Sequence, residues 1–187
     1  MKLQNIVDVV GGTAQFRIKE SYDSKAPVYE FYNQINLEND LTRVYEIISD
    51  SKHIRTFDDV ILTNEDDVIF SLLSGMATQV SHYHNNYLLT QNFVKLTPKK
   101  KIVPRYLIYL LNEDVSIKRQ FDSQLQGSKI LKYTVTQLKN LNLPKLPNLE
   151  KQKIIGDLYF DIIKLKTLKL KYCDLENRLL FQKLKEV

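Results

Sequence analysis

The chain has 187 residues, 43% hydrophobic and 26% charged, with a net charge of +5. That suits one folded domain with at most an appendage. The single cysteine excludes an internal disulfide framework and a cysteine-built zinc site, and no apolar run approaches the ~20 residues of a membrane span.

The opening residues show no signal-peptide core, so the expected location is cytoplasmic. Charge is unevenly spread. Residues 1–67 carry 7 basic and 13 acidic side chains, whereas residues 68–187 carry 20 and 9. A basic stretch of that size attracts phosphate. Lysine also outnumbers arginine 21 to 6, a bias that an AT-rich genome produces without any nucleic-acid role.

In chain order, Leu3, Ile6, Val7 and Val10 have helical spacing, and Gly11-Gly12 stops that helix. Thr13 to Lys19 reads as a polar loop or an edge strand. Val28–Tyr32 and Val44–Ile48 are aromatic and β-branched, so both are expected as strands. From Asp67 to Thr97 three strands are expected, at Val68–Leu72, Ala77–Val80 and Gln91–Leu96. Ser74-Gly75 and Asn85-Asn86 supply turns. Pro104 opens a helix whose stripe is Tyr106, Leu107, Tyr109, Leu110 and Leu111. A second helix runs through Ile117 and Phe121 and is broken at Gln126-Gly127-Ser128. Thr134 and Gln137 fit a capping box, and Leu141–Pro144 reads as a last short strand.

Asn148 is a good N-cap, and the residues after it contain no proline. Leu158, Ile162, Leu165, Leu168, Tyr172, Leu175 and Leu179 recur at steps of four and three, and from Leu165 onward they follow a heptad seam. A helix from Asn148 to the end is ~55 Å long at ~1.5 Å per residue. A globule of the remaining size, with a radius of gyration of only ~15 Å, does not cover it. The seam therefore calls for a partner helix, unless the helix folds back on its own domain or breaks near Gly156.

Catalytic constellations are missing. No glycine-rich phosphate loop and no Gly-x-Ser-x-Gly elbow occur. The acidic clusters Asp58-Asp59 and Glu65-Asp66-Asp67 read as solvated turns and strand ends, since no Glu-x-Lys follows them. His82 and His84 would share a face on a strand, but they read as solvated or locally hydrogen-bonded imidazoles rather than half a metal site. Cys173 falls within the heptad helix and reads as packing. By its chemistry the chain is a binding module, not an enzyme, and needs no cofactor.

Several stretches in order resemble one family. They are Leu3-Gln4-Asn5-Ile6-Val7-Asp8-Val9-Val10-Gly11-Gly12, Asp66-Asp67-Val68-Ile69-Phe70, Tyr87-Leu88-Leu89-Thr90-Gln91-Asn92-Phe93, and Pro104 to Leu111. The most diagnostic is Leu143-Pro144-Lys145-Leu146-Pro147, followed by Leu149-Glu150-Lys151-Gln152-Lys153-Ile154-Ile155 at the head of the long helix. The succession is similar to a target recognition domain from the specificity subunit of Type I restriction-modification systems.

The resemblance implies an α+β fold. A target recognition domain (residues 1–147), with a twisted β-sheet and short helices, precedes one long helix (148–187) that pairs as an antiparallel coiled coil. A full specificity subunit has two such domains, so this chain is half of one. The implied partners are double-stranded DNA, a second copy or a second half-subunit, adenine-methyltransferase subunits and, where the system has one, a restriction subunit. The implied target is bipartite and, for two identical halves, palindromic. The alternative is a half-subunit remnant or regulator that binds methyltransferase subunits without specifying a site.

Phosphate contacts call for Lys, Arg and loop N–H groups, and base contacts for Arg, Lys, Asn, Gln, Ser and Thr. Three loops are the expected DNA contacts: Thr13, Gln15, Arg17 and Lys19; Ser74, Thr78 and Gln79; and Gln126, Ser128, Lys129 and Lys132. Lys99, Lys100 and Lys101 are expected phosphate contacts. The expected dimer interface is the heptad seam.

Overall fold

A computed structural model describes residues 1–45, 51–125 and 132–185. Its centre is a four-stranded antiparallel sheet in the order β1-β6-β4-β5, formed by β1 (Val7–Gly11), β4 (Val68–Ser71), β5 (Ala77–Gln79) and β6 (Phe93–Pro98). A separate two-stranded ribbon pairs β2 (Val28–Glu30) with β3 (His53–Arg55). Five α-helices complete the described chain: α1 (Gln34–Thr42), α2 (Pro104–Glu113), α3 (Val115–Leu125), α4 (Val135–Asn140) and α5 (Leu149–Leu184). The expected α+β class, with a sheet, short helices and a long last helix, is what the chain adopts.

Strand β4 is buried on both faces, and its alternation separates two cores. Val68 and Phe70 join Val94, Leu96, Leu107, Leu110 and Leu111 in the larger one. Ile69 turns the other way and packs with Tyr32, Leu37, Leu89 and Phe93. The smaller core is closed by Asp40 of α1, a carboxylate with no exposed surface. It accepts from Tyr32 Oη at 2.8 Å and Ser81 N at 3.1 Å, and lies 2.8 Å from His84 Nδ1. Burial raises the Tyr32 phenol well above its ordinary value, with the Asp40 charge adding to it, so the phenol is a dependable donor.

Four expectations change. Val7–Gly11 is a strand, not a helix, because its β-branched Val7, Val9 and Val10 pair with β6 and the helical spacing loses to that ladder. Helix α1 was not expected at all. It buries Asn36, Asn39 and Asp40 beside Leu37 and Leu41, so it has no clean apolar stripe to read. Its start is set by an Asn33–Asn36 capping box. Val44 and Tyr45 lie in no regular element, and the rest of the strand expected to Ile48 falls outside the described residues. Leu141–Pro144 is not a strand; only Asn142 makes a bridge, to Lys2, and Pro144 has no N–H to continue it.

Other local signals hold. Pro104 opens α2, Thr134 and Gln137 form their capping box, and Asn148 Oδ1 accepts from Lys151 N at 2.9 Å. The break expected at Gln126-Gly127-Ser128 lies outside the described residues.

Helix α5 runs unbroken through Gly156. A Cβ there would lie 2.7 Å from both Arg105 Cβ and Tyr106 N, so the glycine is what lets α5 cross α2 closely. Around that crossing Gln152, 1% exposed, accepts from Val103 N at 3.0 Å and donates to Pro147 O at 2.8 Å. Arg105 pairs with Asp157 at 2.7 Å and lies 5.2 Å from the Phe160 ring centroid. Tyr159 Oη accepts from Asn112 Nδ2 at 3.0 Å; burial, against that hydrogen bond, pushes its phenol up to about 12.

Gly156→Ala is expected to destabilise the fold. The steric conflict costs about 1–3 kcal/mol, more than the ~1 kcal/mol that alanine gains in helix propensity. A lower urea midpoint with an unchanged m-value checks this.

Candidate nucleic-acid interface

The antiparallel register sorts the sequence candidates into two groups. The C-terminal ends of β1 and β4 and the N-terminal ends of β5 and β6 lie at one edge of the sheet. That edge carries the turn after β1, the β4–β5 turn and Lys132. Lys99, Lys100 and Lys101 follow β6 at the opposite edge, where Lys99 N donates to Ile6 O. Six residues of β6 separate the two edges, about 20 Å at ~3.4 Å per residue.

At the first edge the chain is tightly built. Thr13 N donates to Leu89 O at 2.7 Å, and its hydroxyl accepts from Ile61 N at 2.9 Å. Thr13 is thus a half-buried structural pin that presents the turn behind it. Gln15–Arg17 forms a 3-10 turn whose three side chains are exposed. Phe16 is 79% exposed, with the Arg17 guanidinium 5.5 Å from its ring centroid. Lys19 is exposed too, and its N–H donates to Asp58 Oδ2 at 2.7 Å.

In the β4–β5 turn, Ser71 Oγ accepts from Leu73 N and Ser74 N. Gly75 has φ 70 and faces Tyr133, where a Cβ would come within 2.5 Å of the ring. Ser74 is therefore held out at the tip, exposed. Lys132 joins the same edge by donating to Asn92 Oδ1 at 2.9 Å.

Two other candidates are corrected. Thr78 and Gln79 are not in a loop; they are buried in β5. Gln79 Oε1 accepts from Arg105 Nε at 3.1 Å, which commits it to the α2–α5 crossing. Gln126, Ser128 and Lys129 lie outside the described residues. Sequence reasoning missed Phe16, Gln91 and Asn92, which share the first edge. Their signal was the strand ends on either side, which only the β1–β6 pairing reveals.

At the second edge Lys99 pairs with Asp8 at 2.8 Å. Lys100 and Lys101 instead line a cavity of about 710 Å³ with Leu143, Pro144, Lys145 and Leu149. His82 is exposed, its ring tilted against that of Tyr83, while His84 is turned inward to Asp40, so the two imidazoles do not converge. No cluster of three or more His, Cys, Asp or Glu side chains that could hold a metal occurs among the described residues. No described helix is long and apolar enough to cross a membrane.

All seven seam residues of α5 are exposed, between 46% (Leu168) and 67% (Tyr172). Phe160 is the last buried residue of α5 and Ile163 still packs against the main core, so the helix beyond Ile163 stands clear of the globular core for roughly 30 Å at ~1.5 Å per residue.

The family model for the Type I restriction modification DNA specificity domain matches residues 1–176. The chain belongs to that family. Solved structures agree on the fold of this specificity domain. The HsdS subunit from Thermoanaerobacter tengcongensis is 17% identical with a TM-score of 0.59, covering 92% of this chain and 39% of that one. A chain from a structure of complex assembly and conformational transition of the type I R-M system is 18% identical, with a TM-score of 0.59 and coverage of 98% and 42%. The S subunit of the Type I system from M. genitalium is 16% identical, with a TM-score of 0.52 and coverage of 84% and 37%. This chain thus spans about two fifths of each. No curated protein sequence matches it.

Arg17→Ala is expected to weaken duplex binding by the specificity domain and to make its salt dependence shallower by about 0.9 in log–log slope per lost phosphate contact. Because the side chain is exposed, the melting temperature should stay unchanged. Anisotropy over a salt series, with thermal melts alongside, checks both.

Proposed function

We propose that this chain is a specificity subunit with a single target recognition domain, residues 1–147, which pairs with a second copy through the helix of residues 148–187. The pair reads a bipartite palindromic DNA site and directs adenine-methyltransferase subunits to it. Under this reading the chain has no catalytic step of its own. Base and phosphate contacts come from the sheet edge carrying Gln15, Arg17, Ser74 and Lys132, with Lys19 nearby. Gln126, Ser128 and Lys129, expected in the same recognition surface, remain part of the proposal. So do Lys99, Lys100 and Lys101 as phosphate contacts near the base of α5.

The observation that carries the reading is the bare seam. Seven large exposed apolar side chains on one helix, the five from Leu165 onward in heptad order and clear of the core, are a surface that water penalises and a like helix covers. The seam is also symmetric along the chain. Leu158 and Leu179, Ile162 and Leu175, and Leu165 and Tyr172 are each centred between Leu168 and Lys169. An antiparallel pair about a two-fold axis there sets these three pairs of apolar residues level with one another, with Leu168 beside Lys169 of the second copy at the centre. The interface is isologous, and the two recognition domains lie at opposite ends of a spacer. One domain alone would hold one half-site, with much of the contact and specificity lost.

Light scattering of the purified chain is expected to give twice 22.0 kDa at micromolar concentration. Leu165→Glu with Leu175→Glu should give a folded monomer, since both side chains are exposed and make no core. Site selection from a random duplex pool should then return an interrupted palindrome with the dimer and not with the double variant. A dimer that selects no site would favour the regulator reading.

A further inference from the structure

We propose that Phe16 is a base-reading residue, whose exposed ring takes the 5-methyl group of a thymine in the major groove beside a guanine held by Arg17. The proposal rests on the reading above, in which this sheet edge meets DNA, and deepens it by naming a residue and the base it reads.

The turn that carries the ring is pinned on both sides. Ahead of it, Gly12 N donates to Phe93 O at 3.0 Å, and Thr13 O accepts from Gln91 N at 3.0 Å. A Cβ on Gly12 would lie 2.1 Å from Thr90 O, so the chain enters the turn hard against the backbone that leads into β6. Behind it, Lys19 O accepts from the buried Thr56 hydroxyl at 2.8 Å. Within it, Arg17 N donates to Ala14 O at 2.9 Å and Ile18 N to Gln15 O at 3.2 Å. A backbone held in this way presents its side chains to a ligand without a large ordering cost.

The side chains of the turn do not serve the core. None of its three residues is buried, and Phe16 is 79% exposed. Single exposed apolar side chains are ordinary on a protein surface. This one is set apart by its neighbours. Gln15 and Arg17 share its turn, and Ser74 and Lys132 share its edge of the sheet. All four are of the types that contact phosphates or base edges. An apolar ring placed among them supplies the one kind of base contact that they do not.

The chemistry of the grooves identifies the ligand. The apolar substituent that a base pair shows in the major groove is the thymine 5-methyl group, and a phenyl ring contacts it favourably. The other use of such a ring is as a wedge between base steps, which needs both of its faces for stacking. Here the Arg17 guanidinium lies over one face, 5.5 Å from the ring centroid, so the other face and the rim remain for a methyl group. Stacking leaves the guanidinium donors open, because they lie in its own plane. That fork matches O6 and N7 of a guanine. The 5.5 Å between the two groups spans one to two base steps at ~3.4 Å each. The thymine and the guanine are therefore adjacent, or separated by one base, in each half-site.

The test starts from the duplex that the full chain selects from a random pool. Each thymine of that duplex is replaced in turn by deoxyuridine, which lacks only the methyl group, and Kd is measured by anisotropy at one salt concentration. Wild type should lose affinity by about four-fold per half-site at one thymine, the value of one buried methyl group. Phe16→Ala should bind thymine and uracil equally at that position, with the melting temperature of wild type. Phe16→Leu should retain part of the preference. Arg17→Ala, put through the same selection, should lose its preference for a guanine within two steps of that thymine.

A wild type that binds every uracil duplex as tightly as the thymine duplex would overturn the role of Phe16 and leave DNA recognition by the chain standing. That arm needs no variant to fold. A Phe16→Ala protein that loses affinity equally for the thymine and uracil duplexes would overturn it too. If that loss came with a changed bend of the duplex, read by energy transfer between end labels, the ring would be a wedge. A selected site without a thymine, or an Arg17→Ala protein that still selects the same guanine, would also decide against the proposal. A chain that selects no duplex at all would overturn the recognition reading on which it rests.

Discussion

The close crossing of α5 over α2 at Gly156 is the constraint on which the rest of the molecule depends. Only a residue without a Cβ lets the two backbones approach there. Gln152, Asp157 and Phe160 then tie the first turns of α5 to Val103, Pro147 and Arg105. These contacts all fall in the first third of the helix. They aim it without covering it, so the seam from Leu158 to Leu179 leaves the core on a fixed line and stays bare. A hinge at Gly156 would lose that direction, and with it any defined distance between two recognition domains.

What could be read from the sequence was what the chain encodes locally. The α5 seam, the Asn148 cap, the proline that opens α2 and the Thr134–Gln137 box each need only a few neighbouring residues. What could not be read depends on partners far along the chain. Val7–Gly11 has helical spacing and becomes a strand because β6, almost ninety residues later, offers it a ladder. Helix α1 buries Asp40 for the sake of Tyr32, Ser81 and His84, a polar network with no periodic signature. The candidate site divides in the same way. Arg17 and Ser74 are exposed turn residues, as expected, whereas Thr78 and Gln79, which fall in the expected strand Ala77–Val80, prove to be buried on it and not part of a contact loop.

The charge distribution gains meaning from the fold. Lys132 and Arg17, far apart in sequence, share one edge of the sheet, and Lys99 to Lys101 sit near the base of α5 at the other. Aspartates hold some of these cations in place: Asp8 takes Lys99, Asp67 takes Lys95 and Asp157 takes Arg105. The two exposed pairs, Lys99 with Asp8 and Arg105 with Asp157, contribute only ~0–1 kcal/mol each. Their larger effect is to leave exposed cations outside such pairs, Arg17, Lys164, Lys166 and Lys169 among them, as the groups most open to an anion.

Under the proposed reading the seam couples two equilibria that would otherwise be separate. One domain alone would hold one half-site weakly, and a second, delivered at high effective concentration by the spacer, would make the full site tight. By linkage, whatever DNA added to pairing, pairing would add to DNA affinity. The direction that Gly156 gives α5 then matters twice, since a spacer free to swing would hold the second domain at many distances from its half-site and dilute that effective concentration.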